Sequence, residues 1–199
     1  DDEIDYTRDR VKMFINAKRK DEIIFTKNTT DSLNMIAYGF FLNYLKDGDE
    51  IILSSSEHAS NILPWLILSM KKKVKVVFVD SKNEKLNIND LIDKITNKTK
   101  VISLAQITNV SGDKRDIKTI CEIAHKFNIL VVVVAAQSAP EIKIDVQDLD
   151  CDFLAFSAHK MCGPLGLGIL YGKYELLKKM VPFEYGGGMN LDYDENTLK

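Results

Sequence analysis

The sequence predicts an α/β protein, a three-layer α/β/α sandwich built on a mixed, mainly parallel sheet. Three observations carry that expectation: short apolar runs rich in β-branched residues, amphipathic stretches between them, and one uninterrupted run of four valines. Strands that alternate with helices build a parallel or mixed sheet covered on both faces.

Taken in order, strands are expected over Glu22 to Thr26, Glu50 to Ser54, Val74 to Val79, Val101 to Leu104, Leu130 to Val134, Phe153 to Phe156 and Gly168 to Tyr171. The run from Val131 to Val134 reads as the central strand, because a strand buried on both sides carries no polar alternate position. Leu33, Ile36, Ala37, Phe40, Phe41, Tyr44 and Leu45 recur at helical spacing, which predicts a helix over 30–45 behind a polar start at Asn28, Thr29 and Thr30. Ile117, Ile120, Cys121 and Ala124 form one stripe behind a capping Asp116, so a helix is expected over 116–127. A shorter helix is expected over 89–95. There is no internal repeat, low-complexity tract or long linker. Residues 1–184 are therefore expected to form one domain, and 185–199, with Gly186-Gly187-Gly188 and then acidic polar residues, a loop that leaves it. The chain begins without Met and reads as a piece of a longer protein whose C-terminal part is missing.

With 45% hydrophobic and 28% charged residues in 199, the composition is that of a soluble folded domain. The formal net charge of -2 gives no pull towards nucleic acid or an anionic membrane, which leaves small molecules and proteins as expected partners. Cys121, Cys151 and Cys162 are widely spaced and suggest neither a zinc site nor a disulfide framework, so a reducing compartment fits. No apolar run approaches the roughly 20 residues that cross a bilayer, and the acidic start is neither a signal peptide nor a transit peptide.

Chemistry concentrates around Lys160. An apolar strand, Phe153 to Phe156, runs straight into Ser157-Ala158-His159-Lys160, followed by Gly163-Pro164-Leu165-Gly166. A lysine at a strand end inside a cleft can be desolvated, which lowers the amine basicity and makes it nucleophilic enough for a Schiff base. Ser157 and His159 beside it are suited to an anion. Against this stands the ordinary reading, in which Lys160 is a solvated loop residue.

The segment from Phe156 to Gly168 resembles the signature of class V aminotransferase-like enzymes, specifically SufS-type cysteine desulfurases and their selenocysteine lyase relatives. The resemblance implies the large domain of a pyridoxal-phosphate enzyme, with Lys160 carrying the cofactor and Ser157 and His159 holding its phosphate. Glu57-His58-Ala59-Ser60-Asn61-Ile62-Leu63-Pro64-Trp65 is similar to the family segment whose His stacks on the cofactor ring and assists proton transfer, a role that falls on His58. Phe25 to Asn34 resembles the strand-turn-helix that meets the phosphate, with Thr29 and Thr30 as the residues involved, and helix starts do attract anions. Without the resemblance, the two would be a helix cap. Ile107-Thr108-Asn109-Val110-Ser111-Gly112 resembles the family segment whose Asn lies near the cofactor hydroxyl and substrate carboxylate, a role that the resemblance gives to Asn109, which would otherwise read as a turn residue. Ala136-Gln137-Ser138-Ala139-Pro140 is similar to the family segment whose Gln bonds the ring hydroxyl, which implies that role for Gln137.

The implied activity is conversion of L-cysteine to L-alanine with transfer of sulfur, as a persulfide, to an acceptor protein for iron-sulfur cluster assembly. The implied assembly is a homodimer, and the implied location soluble, in the cytoplasm or an organelle such as a plastid. Selenocysteine lyase, another class V transferase and a catalytically silent scaffold remain alternatives. The sequence departs from the pattern at Val134, where the family has the Asp that pairs with the ring nitrogen, and at Ala135, Ala158 and Leu165. A valine there is expected to weaken the ring as an acceptor of electrons. The family's sulfur-accepting Cys lies in the missing part, and none of the three cysteines is expected to replace it.

Overall fold

The computed structural model describes residues 2–82, 85–182 and 184. The expected loop over 185–199 lies outside them. The strands are β1 (Ile23–Thr26), β2 (Glu50–Ser54), β3 (Lys75–Val79), β4 (Ser81–Lys82), β5 (Lys85–Leu86), β6 (Thr99–Ala105), β7 (Leu130–Val134), β8 (Phe153–Ser157) and β9 (Gly168–Gly172). The helices are α1 (Asp2–Phe14), α2 (Thr29–Met35), α3 (Leu42–Tyr44), α4 (Leu63–Lys72), α5 (Ile88–Ile92), α6 (Ile117–Lys126), α7 (Val146–Leu149) and α8 (Tyr174–Leu177).

Seven strands form one sheet in the order β1-β9-β8-β7-β6-β2-β3, and β4 pairs with β5 in a separate ribbon. Pairings among β3, β2, β6, β7 and β8 are parallel, whereas β9 runs antiparallel to both β8 and β1. Each parallel step needs a crossover, and α4 and α6 supply two of them. The valine run lies in mid-sheet as expected, and its side chains alternate between two cores. Val131 and Val133 pack on the α6 side with Ile117, Ile120, Cys121 and Ala124. Val132 and Val134 pack on the other side with Leu33, Phe41, Trp65 and Leu68. The three-layer sandwich expected from the sequence is therefore the observed fold.

All seven expected strands form, with ends shifted by at most two residues. Asp116 caps α6 as predicted, its carboxylate accepting from Thr119 N at 3.1 Å. The short helix starts one residue early and ends at Ile92, because Asn87 Oδ1 accepts from Asn89 N at 2.9 Å and the chain turns after Asp93. The helix expected over 30–45 differs in kind: between α2 and α3, Ile36–Phe41 winds as a π-helix. Within this segment the adjacent Phe40 and Phe41 both enter the core, at 3% and 0% exposure. The Gly39 carbonyl accepts from Val181 N at 2.8 Å.

Candidate active site

The carboxyl ends of β6, β7 and β8 converge with the start of α2 and the loop after β2, and between them lies a cavity of about 300 Å³. Open α/β sheets place ligands at this edge, where the ends of parallel strands diverge. Its floor is apolar, from Ala105, Ile107, Val134 and Ala136. Its walls carry Asn28, Thr29, Thr30, His58, Ser60, Asn109, Gln137, Ser157, His159 and Lys160. All eight residues expected from the sequence, namely Thr29, Thr30, His58, Asn109, Gln137, Ser157, His159 and Lys160, thus line one cavity. No Asp or Glu is among the described residues that line it.

Local chemistry explains how each side chain arrives there. Asn28 caps α2 by accepting from Asp31 N at 2.8 Å, which leaves the next residues at the open first turn. Thr29 N donates to Ser157 Oγ at 2.7 Å, and the Thr29 and Ser157 hydroxyls lie 2.5 Å apart, tying the helix start to the end of β8. That join depends on Gly168 of β9, where an added Cβ would lie 2.5 Å from Asn28 Cα. The chain then turns through Ala158–Met161, closes on Cys162 at a φ of 61°, and presents His159 and Lys160 to the cavity. Asn109 sits in a small loop closed where Thr108 N donates to Asp113 O at 3.1 Å and Arg115 N to Gln106 O at 2.9 Å.

His58 is exposed, and its Nδ1 accepts from Ser60 N at 3.2 Å with Ser60 Oγ at 2.8 Å. An accepting Nδ1 assigns the proton of the neutral ring to Nε2.

Behind His58 lies a buried polar network that sequence reasoning missed. The Arg115 guanidinium pairs with the Glu57 carboxylate, both with side chains at 1% exposure or less. Arg115 Nη2 also donates to Ser54 Oγ and Ser56 Oγ at 2.8 Å each, and Nη1 to the Ala105 carbonyl at 3.1 Å. Glu57 accepts from Ala105 N at 3.0 Å and Asn61 Nδ2 at 2.8 Å, while Asn61 Oδ1 accepts from Trp65 Nε1 at 3.1 Å. The network fastens the loop carrying His58 to the end of β6. In the sequence Arg115 sits in the run Asp113-Lys114-Arg115-Asp116, which reads as a solvated charge cluster and gives no signal of burial.

The model of the family described as aminotransferase class-V matches residues 1–199. The chain belongs to the class-V aminotransferase family. Among curated relatives, it is 43% identical over 183 residues to a probable cysteine desulfurase of Halalkalibacterium halodurans, covering 92% of this chain and 45% of that protein. It is 44% identical over 184 residues to a cysteine desulfurase of Wigglesworthia glossinidia brevipalpis, again 92% of this chain and 45% of that one. Among solved structures it superposes on the cysteine desulfurase CsdA of Escherichia coli with a TM-score of 0.93 and 37% identity, over 96% of this chain and 48% of that one. A cysteine desulfurase of Thermococcus onnurineus gives a TM-score of 0.92 and 36% identity, over 98% of this chain and 48% of that one. The chain spans about half the length of the curated relatives it matches.

Within this class-V aminotransferase chain, one expectation needs correction. Lys160 is exposed, not desolvated, because the turn after β8 carries it past the strand end to the mouth of the cavity. The departures at Ala135 and Ala158 are accommodated by the backbone, since neither is among the residues with positive φ. Leu165 is 85% exposed, and the structure gives no account of it. Cys121 and Cys151 are buried and Cys162 is exposed. Burial pushes the Cys121 thiol up to about 12 and the Cys151 thiol well above its ordinary value, which makes both poor nucleophiles.

Proposed function

We propose that residues 1–184 are the cofactor-binding domain of a cysteine desulfurase that uses pyridoxal phosphate. The observation that carries the reading is the meeting of Lys160 with the seven other expected residues around one cavity of about 300 Å³. The donor set fits the cofactor: a lysine amine for the aldehyde, hydroxyls of Thr29, Thr30 and Ser157 with His159 for a phosphate, and an apolar floor for a flat ring. The comparisons support the same reading through relatives named cysteine desulfurase.

When bound, pyridoxal phosphate supplies a carbonyl that joins amines and a conjugated ring that withdraws electrons from the carbon next to the amine. The rest of the proposal concerns this chain's own side chains. Lys160 would hold the carbonyl through Nζ, and its free amine would accept or return a proton there. Thr29, Thr30, Ser157 and His159 anchor the phosphate end and thereby fix the ring's direction. His58, with Nδ1 held by Ser60, offers Nε2 for proton transfer, while Asn109 and Gln137 orient the ligand through their amides. In the full protein, L-cysteine is the substrate, a sulfur-acceptor protein the partner, and a homodimer the assembly.

The test is to add pyridoxal phosphate, reduce with borohydride and map the modified peptide. One phosphopyridoxyl group on Lys160, lost in Lys160→Ala, is expected. Modification scattered over surface lysines, and equal in Lys160→Ala, overturns the reading.

A further inference from the structure

The cavity has cations and neutral polar groups in its lining but, among the described residues, no carboxylate. Among the described lining residues three can carry positive charge, His58, His159 and Lys160, and none can carry a compensating negative one. Glu57 lies behind His58, but its carboxylate is spent on Arg115, Ser54, Asn61 and Ala105 N. The floor is closed to hydrogen bonding as well. Val134 is 6% exposed and Ala105 7%. The Val134 carbonyl accepts from Gln106 N at 2.9 Å and Ala135 N donates to the Ala155 carbonyl at 2.8 Å, so the backbone at the end of β7 is committed to the sheet.

A ring nitrogen facing Val134 and Ala105 would meet methyl groups, with no carboxylate among the described lining residues to share its proton. A buried cation without a partner is strongly disfavoured. We propose that Val134 makes this cavity indifferent to the ring nitrogen: it takes a phosphorylated aromatic aldehyde as a class, holding pyridoxal phosphate with its ring uncharged and its carbocyclic analogue equally well. The inference rests on the reading of the cavity as a pyridoxal-phosphate site. Recognition then comes from the phosphate and aldehyde ends, and a ring that stays uncharged is a weak acceptor of electrons.

Binding decides this without any turnover. The dissociation constants of pyridoxal phosphate and of deazapyridoxal phosphate, in which C–H replaces the ring nitrogen, are measured by equilibrium dialysis. Nitrogen NMR of ring-labelled pyridoxal phosphate then reports the protonation of the bound ring. The unaltered protein is expected to bind the two ligands within about threefold, and the bound nitrogen to resonate as an unprotonated pyridine at neutral pH. Val134→Asp places a carboxylate in the floor; a hydrogen bond to a charged group is expected to shift preference to pyridoxal phosphate by about tenfold or more, with a pyridinium resonance. If that variant does not fold, the comparison in the unaltered protein still decides the matter. A preference of the unaltered protein for pyridoxal phosphate beyond about tenfold, or a pyridinium resonance, overturns the inference while leaving the cofactor reading intact. Retention of neither ligand overturns the cofactor reading, and this inference with it.

Discussion

Replacing Arg115 by Met removes the cation from the buried network behind His58 while keeping much of the side-chain volume. The change leaves the Glu57 carboxylate, with its side chain at 0% exposure, without its countercharge. Removing one member of a buried ion pair costs about 3–5 kcal/mol, because the remaining charge is neither solvated nor paired. Three donors stay on Glu57, from Ser54 Oγ, Asn61 Nδ2 and Ala105 N, so the cost belongs at the lower end, about 3 kcal/mol. For a chain of this size that is a fall in Tm of roughly 6–12 °C. The assay is urea unfolding of the unaltered protein, Arg115→Met, Glu57→Leu and the double variant. The double variant removes both charges and is expected to be more stable than the sum of the single losses by at least about 1 kcal/mol. A loss below about 1 kcal/mol for Arg115→Met, or strict additivity, refutes the argument that this pair holds the His58 loop to β6.

Two further outcomes are expected. Gly168→Ala brings a methyl group to 2.5 Å from Asn28 Cα and 2.6 Å from Thr26 Oγ1, with backbone on one side that cannot swing away. A loss of about 1–3 kcal/mol in urea unfolding is expected, with weaker retention of pyridoxal phosphate because the start of α2 must move; an unchanged midpoint and affinity would refute the close approach. His125 lies between Asp152, 2.9 Å from Nε2, and Asp150, 3.1 Å from Nδ1, with Lys173 bridging the same two carboxylates. The hydrogen bond to Asp152, outweighing burial, raises the imidazole above its ordinary value. A group raised in the folded state contributes stability that is fully present below its unfolded value, about 6.5, and is lost as the pH rises through the folded one. Unfolding free energy is therefore expected to fall with pH above about 6.5, and His125→Asn to flatten that slope. Identical slopes would refute the assignment.

The sequence by itself determined the strands, the α6 cap at Asp116 and the mid-sheet place of Val131 to Val134, and it named eight of the residues that line the cavity. These are legible because each rests on local spacing or on short motifs in a fixed order. The order of strands in the sheet was not legible, since β9 turning antiparallel beside β8 is decided by packing and crossover geometry. Nor was the π-helix at Ile36–Phe41, because apolar residues at helical spacing do not distinguish a π winding from an α winding. Only the tertiary structure decided that Arg115 is buried against Glu57, 58 residues away in the chain, because a charge cluster reads as solvated until a buried carboxylate is brought to it. It decided as well that Lys160 stands exposed beside the cavity and that, among the described residues, the lining holds no carboxylate to answer Val134. A departure at one residue is visible in a sequence, but whether a neighbour compensates for it is settled only where the chain folds back on itself.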